Sequence, residues 1–306
     1  MESEERRYPR KKRDHWHHLL DLTDWNEFKY RENDIIINAY SKSGTTWVQQ
    51  IVAQLLWEGA EHIILSEVSP WIDCRFPSKE GRLEIVGRQT HRRFIKSHLP
   101  ADTLVYSPKA KYLYIGRDGR DVLWSLYNHH RNFRKDVIES IDGVPERIGP
   151  PLGEAPSSVI DYFRDWLTRD GYPWWPYWEH ILSWWEIKDL PDVMFVHFSN
   201  LKKDMPGEIR QIAAFLDIAI DETNWEAILE HCSFHYMKAH AAECVPFAGD
   251  IFSGGAKSFM YKGVNGRWND MLTPDDIEQY ERTAEEKLGL RCANWLATGV
   301  PQHKYS

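Results

Sequence analysis

Four short stretches of this 306-residue chain hold residue types that can bind and process an anion. The first is Tyr40-Ser41-Lys42-Ser43-Gly44-Thr45-Thr46-Trp47, a small-residue loop with one lysine between an apolar run and a helical pattern. Such a loop aims backbone N–H groups, an ammonium and a helix N-terminus at one point, which suits a phosphate or sulfate. The second is Phe94-Ile95-Lys96-Ser97-His98-Leu99-Pro100. There an imidazole that titrates near neutrality follows a lysine whose charge favours the neutral, basic form. The third runs from Tyr114 to Ser125, with Arg117 at a strand end and Ser125 able to join it on a second anion. Asp121 is the expected cap of the helix between them. The fourth, Phe259–Trp268, sets Gly263 beside Lys262, so the backbone can approach an anion closely.

Each stretch also has a plain structural use: a capped turn, a core histidine, a surface Arg–Asp pair, a simple bend. The first loop further departs from the nucleoside-triphosphate loop GxxxxGK[ST], because its lysine precedes the glycine. No acidic cluster suggests a magnesium site, so the expected metal set is empty.

The elements that must position these residues follow from periodicity. Apolar β-type runs at 34–39, 93–96, 112–115 and 193–198 read as strands. Helical patterns cover 47–56, 121–132, 158–168, 178–186, 202–216 and 274–288, while 133–157 and 239–262 read as irregular. Strands alternating with helices predict an α/β fold with a central parallel sheet flanked by helices. In such sheets ligands sit beyond the carboxyl ends of the strands, where Lys42, His98 and Arg117 fall.

Composition narrows the function. The formal charge of −8 argues against general nucleic-acid binding. Four scattered cysteines fit reduced thiols of a cytoplasmic protein, and no apolar run approaches the roughly 18 residues of a membrane span. Fifteen tryptophans point to a large aromatic core, with a pocket lining as the lesser use. The basic run Arg6–Arg13 reads as a solvated tail, and His15-Trp16-His17-His18 as part of an N-terminal helix rather than a metal site.

Taken together and in this order, the four stretches resemble the cytosolic sulfotransferase family. Tyr40–Trp47 resembles its 5′-phosphosulfate loop YPKSGTTW with Ser41 in place of proline, and Phe94–Pro100 its lysine–x–histidine segment. Arg117 and Ser125 match its 3′-phosphate motif, and Lys262–Trp268 resembles its RKGxxGxW element. The resemblance implies the P-loop nucleotide-kinase-like sulfotransferase fold as a single domain over 21–306, after a flexible basic segment over 1–20. It implies 3′-phosphoadenosine-5′-phosphosulfate as donor. Lys42, Ser43, Gly44, Thr45 and Thr46 would hold the phosphosulfate, Trp47 and Phe234 would sandwich adenine, and Arg117, Ser125, Lys262 and Gly263 would hold the 3′-phosphate. His98 would be the catalytic base, with Lys42 and Lys96 opposing charge on the sulfuryl group.

Besides Ser41, four positions depart from the family pattern. Tyr261 stands where an arginine precedes Lys-Gly, Phe198 replaces an adenine-contacting tyrosine, Cys232 replaces the threonine two residues before Phe234, and Arg267 replaces a common aspartate. The family's short C-terminal dimer motif is not recognisable after Trp268. Donor binding is expected to be weaker, or compensated by a residue such as Arg120 or Lys257. The acceptor is expected to be a small, hydrophobic or phenolic molecule with a hydroxyl or amine. Its pocket would be built by 68–82, 131–156 and 239–257, including Trp71, Phe76, Phe133, Phe247 and Phe252; Arg131 and Arg134 leave room for an acidic one. One of His129 and His130 is a candidate to face that pocket. Monomer and homodimer stay open, as do two alternatives: a nucleotide kinase, and a non-catalytic nucleotide-binding protein of this fold.

Overall fold

Three consecutive isoleucines leave no face for solvent, and strand β1 (Asp34–Ala39) is buried at every position. In the computed structural model, which describes residues 8–300 apart from 16, 18, 76–81 and 145–147, β1 is central to a four-stranded sheet. The order is β2 (Phe94–Ser97), β1, β3 (Ala110–Gly116), β4 (Val193–His197), and every pairing is parallel. The register sets Asn38 beside both Ser97 and Tyr114, so three strands end at one level.

The helices used below are α1 (Thr45–Leu56), α2 (Gly119–Arg131), α3 (Lys135–Asp142), α4 (Val159–Thr168), α5 (Tyr177–Trp185), α6 (Phe198–Lys203), α7 (Met205–Phe215), α8 (Phe234–Ala239) and α9 (Pro274–Thr298). Side chains alternate across a strand, so the sheet separates two apolar layers. Ile35, Ile37 and Ala39 belong to the layer of Val48, Ile51 and Val52 on α1. Ile36 belongs to the other, with Tyr112, Tyr114 and the α5 tryptophan Trp184, whose ring stacks on Tyr114 at 5.2 Å. Most tryptophans enter this second layer, among them the fully buried Trp25, Trp166 and Trp175.

Several boundaries differ from expectation for local reasons. Phe198 opens α6 instead of ending β4, because the His197 side chain accepts a hydrogen bond from Ser199 N and starts a helix there. The helix expected over 202–216 breaks at Asp204, which caps α7 by accepting from Gly207 N. The C-terminal helix runs ten residues beyond Leu288, to Thr298, with non-helical geometry at Gly289 (φ 73°). Asp118, not Asp121, caps α2. The stretches read as irregular hold α3 and the short helices Ala241–Cys244 and Ala256–Phe259.

Near the N-terminus the first helix is Thr23–Glu27, so the described part of 15–18 is not helical. His15, His17, Leu19 and Leu20 are buried, and Leu20 bridges to Cys74. Lys12 N donates to Asp102 O at 2.7 Å. Arg6 and Arg7 of the basic run lie outside the described residues, as does Phe76.

Candidate active site

A cavity of about 510 Å³ opens beyond the carboxyl ends of β1, β2 and β3. Its floor is the loop between β1 and α1. Lys42 (φ 68°) and Gly44 (φ 117°) both take left-handed backbone there. A Cβ at Gly44 would lie 2.9 Å from the Phe198 ring, so that turn needs glycine. No side chain caps α1, which leaves its first N–H groups free of a side-chain partner, and Thr45 Oγ1 is buried without one.

Lys42 Nζ sits 3.5 Å from the centroid of the Phe259 ring. Enclosure by the cavity walls pushes its pKa well below the usual lysine range, and the charges of Lys96 and Arg117 push it further. Lys96 Nζ lies 4.3 Å from the centroid of the Trp71 ring, and burial brings its pKa to about 8. Cations held this way, with an uncapped helix start, are in the condition an anion relieves.

His98 faces the same cavity. Its Nδ1 is 2.6 Å from Ala39 O, an atom that can only accept, so Nδ1 carries the proton and Nε2 keeps a lone pair. Burial first, then the Lys96 charge, holds the imidazole well below its ordinary pKa. The backbone at His98 is fixed by Asp73, which accepts from His98 N at 2.9 Å, Trp71 Nε1 at 2.9 Å and Trp25 Nε1 at 3.1 Å. The geometry is that of an oriented neutral base beside two ammonium groups.

At the other end Arg117 is clamped by the Phe259–Trp268 stretch. Its Nη2 and Nε donate to Asn265 Oδ1 at 2.9 and 3.1 Å, and its Nη1 donates to Lys42 O at 3.1 Å. Its guanidinium carbon stands 4.1 Å from the centroid of the Phe198 ring. Burial lowers its pKa to about 10. Asp121 accepts from Gly266 N at 2.8 Å, anchoring the same stretch. Gly263 (φ 62°) passes so close to Phe234 that a Cβ would come within 2.7 Å of its ring. Trp47 is fixed by donation from Nε1 to Cys232 O at 2.8 Å and meets Phe198 edge-on at 5.4 Å.

Every donor-binding and catalytic candidate named from the sequence lines this cavity except Ser43, which is buried in the loop. Ser125, Thr46, Tyr261 and Lys262 are all present in the wall. The expected compensation by Arg120 or Lys257 is not what the structure offers. Arg120 is locked to Asp118 and Glu281 and lies over Trp268 at 3.8 Å, while Lys257 is exposed and away from the cavity.

The remaining wall is aromatic, with Trp71, Phe133, Trp174, Phe247 and Phe252. His129 belongs to it, 4.8 Å from the Phe133 ring and 5.0 Å from Phe252, with Nδ1 buried and unpartnered. His130 turns away and meets Gly153 O at 2.9 Å. Arg134 pairs with Asp136 in solvent, and neither it nor Arg131 lines the cavity. Sequence reasoning missed Asp73, Phe259 and Asn265, each of which acts through another residue's position. Among the described residues one grouping offers ligand atoms to a metal, His62, His240 and Glu243, and it lies off the cavity.

Comparison with known proteins agrees with this geometry. The family model described as "Sulfotransferase domain" matches residues 32–291. A glycolipid sulfotransferase of Mycobacterium bovis is 30% identical, over 86% of this chain and 87% of that protein. Sulfotransferase 1B1 of Mus musculus is also 30% identical, over 86% and 85%. The crystal structure of mouse sulfotransferase SULT7A1 complexed with PAP superposes with a TM-score of 0.70 at 25% identity, covering 90% of this chain and 93% of that one. A retinol dehydratase structure, 24% identical with a TM-score of 0.66 and coverage of 87% and 83%, shares the fold. With a lysine-bearing loop, an oriented histidine and a clamped arginine around one cavity, and a family match over most of its length, the chain belongs to the sulfotransferase family.

Proposed function

We propose that this sulfotransferase moves a sulfuryl group from 3′-phosphoadenosine-5′-phosphosulfate to the hydroxyl or amine of a small, largely apolar or phenolic acceptor. The observation that carries the reading is the convergence of Lys42, Lys96 and the free Nε2 of His98 on one cavity whose far end holds Arg117. PAP in the related mouse structure supports the donor assignment.

His98 Nε2 takes the proton from the acceptor oxygen as that oxygen forms its bond to sulfur. The bond from sulfur to the bridging oxygen breaks in line, and the electron pair leaves with the 5′-phosphate. Lys42 opposes the charge on that leaving oxygen and Lys96 the charge on the sulfuryl oxygens. Ser43, Gly44, Thr45 and Thr46 hold the 5′ end, Trp47, Phe198 and Phe234 the adenine, and Arg117, Ser125, Tyr261, Lys262 and Gly263 the 3′ end. A sulfuryl group carries less negative charge than a terminal phosphoryl, so the two ammonium groups take the role of a bridging cation.

The aromatic wall supports an apolar acceptor, as does the glycolipid specificity in the name of the mycobacterial relative. The four cysteines are buried and none is in a disulfide, which supports a reducing, cytoplasmic setting. No helix among the described residues is long and apolar enough to cross a membrane.

His98→Ala tests the mechanism. Loss of a general base lowers turnover by about 10²–10⁴-fold. Binding of adenosine 3′,5′-bisphosphate, measured by calorimetry, stays near the parent value. Turnover close to normal in this variant would remove His98 from the reaction.

A further inference from the structure

The Phe259–Trp268 stretch brings a second guanidinium to the Arg117 end of the cavity. Arg267 lines that cavity, with its guanidinium carbon 5.0 Å from the centroid of the Tyr261 ring. Lys262 Nζ lies 5.5 Å from the centroid of the same ring, so Tyr261 has two cations near its ring, both from residues that follow it. Arg267 is half-buried, and among the described residues it makes no ion pair with a carboxylate. Burial first, then the charge of Arg267, lowers the pKa of Arg117, and burial lowers that of Arg267 itself.

Two carboxylates act on Arg117: Asp121, one of whose oxygens is already taken by Gly266 N, and Asp118, which is paired with Arg120. Arg117, Lys262 and Arg267 against Asp121 leave two positive charges unmatched. That excess equals the charge of about −2 on a phosphate monoester near neutrality. A guanidinium also offers paired N–H donors shaped for such a group, which Tyr261 cannot supply.

We propose that Arg267 is a binding residue for the ribose 3′-phosphate of the donor, restoring from the far side of the loop the guanidinium that Tyr261 lacks. The inference rests on the donor reading above and adds to it the residue at the variable position before Trp268. The 3′-phosphate then bridges Arg117 and Arg267, and its charge relieves their mutual repulsion.

The test is calorimetric titration of the full chain, and of its Arg267→Gln and Arg267→Lys variants, with adenosine 3′,5′-bisphosphate and with adenosine 5′-monophosphate. Losing a charge-assisted bond at a half-exposed site lowers affinity by about 10-fold. Arg267→Gln is expected to lose that factor for the bisphosphate and to hold the monophosphate within about 2-fold. Arg267→Lys, which keeps the charge, recovers part of the loss. Unchanged bisphosphate affinity in Arg267→Gln, or an equal fall for both nucleotides, overturns the proposal. A parent protein that fails to prefer the bisphosphate overturns the donor reading with it, so the two failures are told apart.

Discussion

Asp73 accepts hydrogen bonds from two tryptophan indoles and from the backbone of His98, and it is fully buried. Nothing in the sequence marks it, because its effect passes through the ring it positions. The residues legible from the sequence were those whose own side chains line the cavity, Lys42, His98 and Arg117, since residue type and spacing mark them. Asn265 and Phe259 escaped because only folding brings them to Arg117 and Lys42. His129 is an intermediate case. Its neighbour His130 has the same chemistry, and only the rotation of α2 decides which one meets the cavity. His129 Nδ1 is buried and unpartnered among aromatic rings, so a second polar group on the acceptor has a partner there. His129→Phe is expected to keep the packing and lower kcat/KM for a naphthalenediol relative to a naphthol by about 10-fold. An unchanged ratio on that matched pair would show that His129 only fills space.

At the scale of elements, four strands and their parallel order followed from β-branched runs alternating with helical patterns. The misread boundaries at Phe198 and Asp204 come from side-chain caps that compete with the periodic signal. The strand–loop–helix unit at 34–56 was the clearest, because its conformation is dictated by one glycine. Gly44→Ala must place a Cβ at φ 117° and against the Phe198 ring. Backbone strain of that kind costs about 1–3 kcal/mol, to be read from urea unfolding of the variant. Donor affinity falls with it, since Phe198 is displaced from the cavity wall. Parent-like stability and affinity would mean that the loop relaxes without Phe198.

At the scale of the whole molecule, burial sets the pH response. His98 stays neutral well below pH 6.5, so activity is expected to persist on the acid side where a free imidazole would be charged. Lys96, brought to about 8, and Lys42, also held well below its usual range, lose their protons as pH rises, so kcat/KM falls on the alkaline side. A rate profile from pH 5 to 10 checks both limbs. Stability follows a separate rule. His15 and His180 are lowered to about 4 and about 3, so the unfolded chain takes up protons that the folded one refuses. Their contribution is complete above pH 6.5 and shrinks as pH falls toward those values, by about 1.4 kcal/mol per pH unit for each histidine. Thermal unfolding at pH 7 and pH 5 reads that loss.

The cavity takes its walls from Leu19 near one end of the chain and from Arg267 near the other, with residues between them contributing in turn. Walls drawn from such distant parts of the chain make the cavity depend on non-local contacts, which are slow to form. A cut or truncation that detaches either wall is therefore expected to open the cavity, and is read as lost turnover.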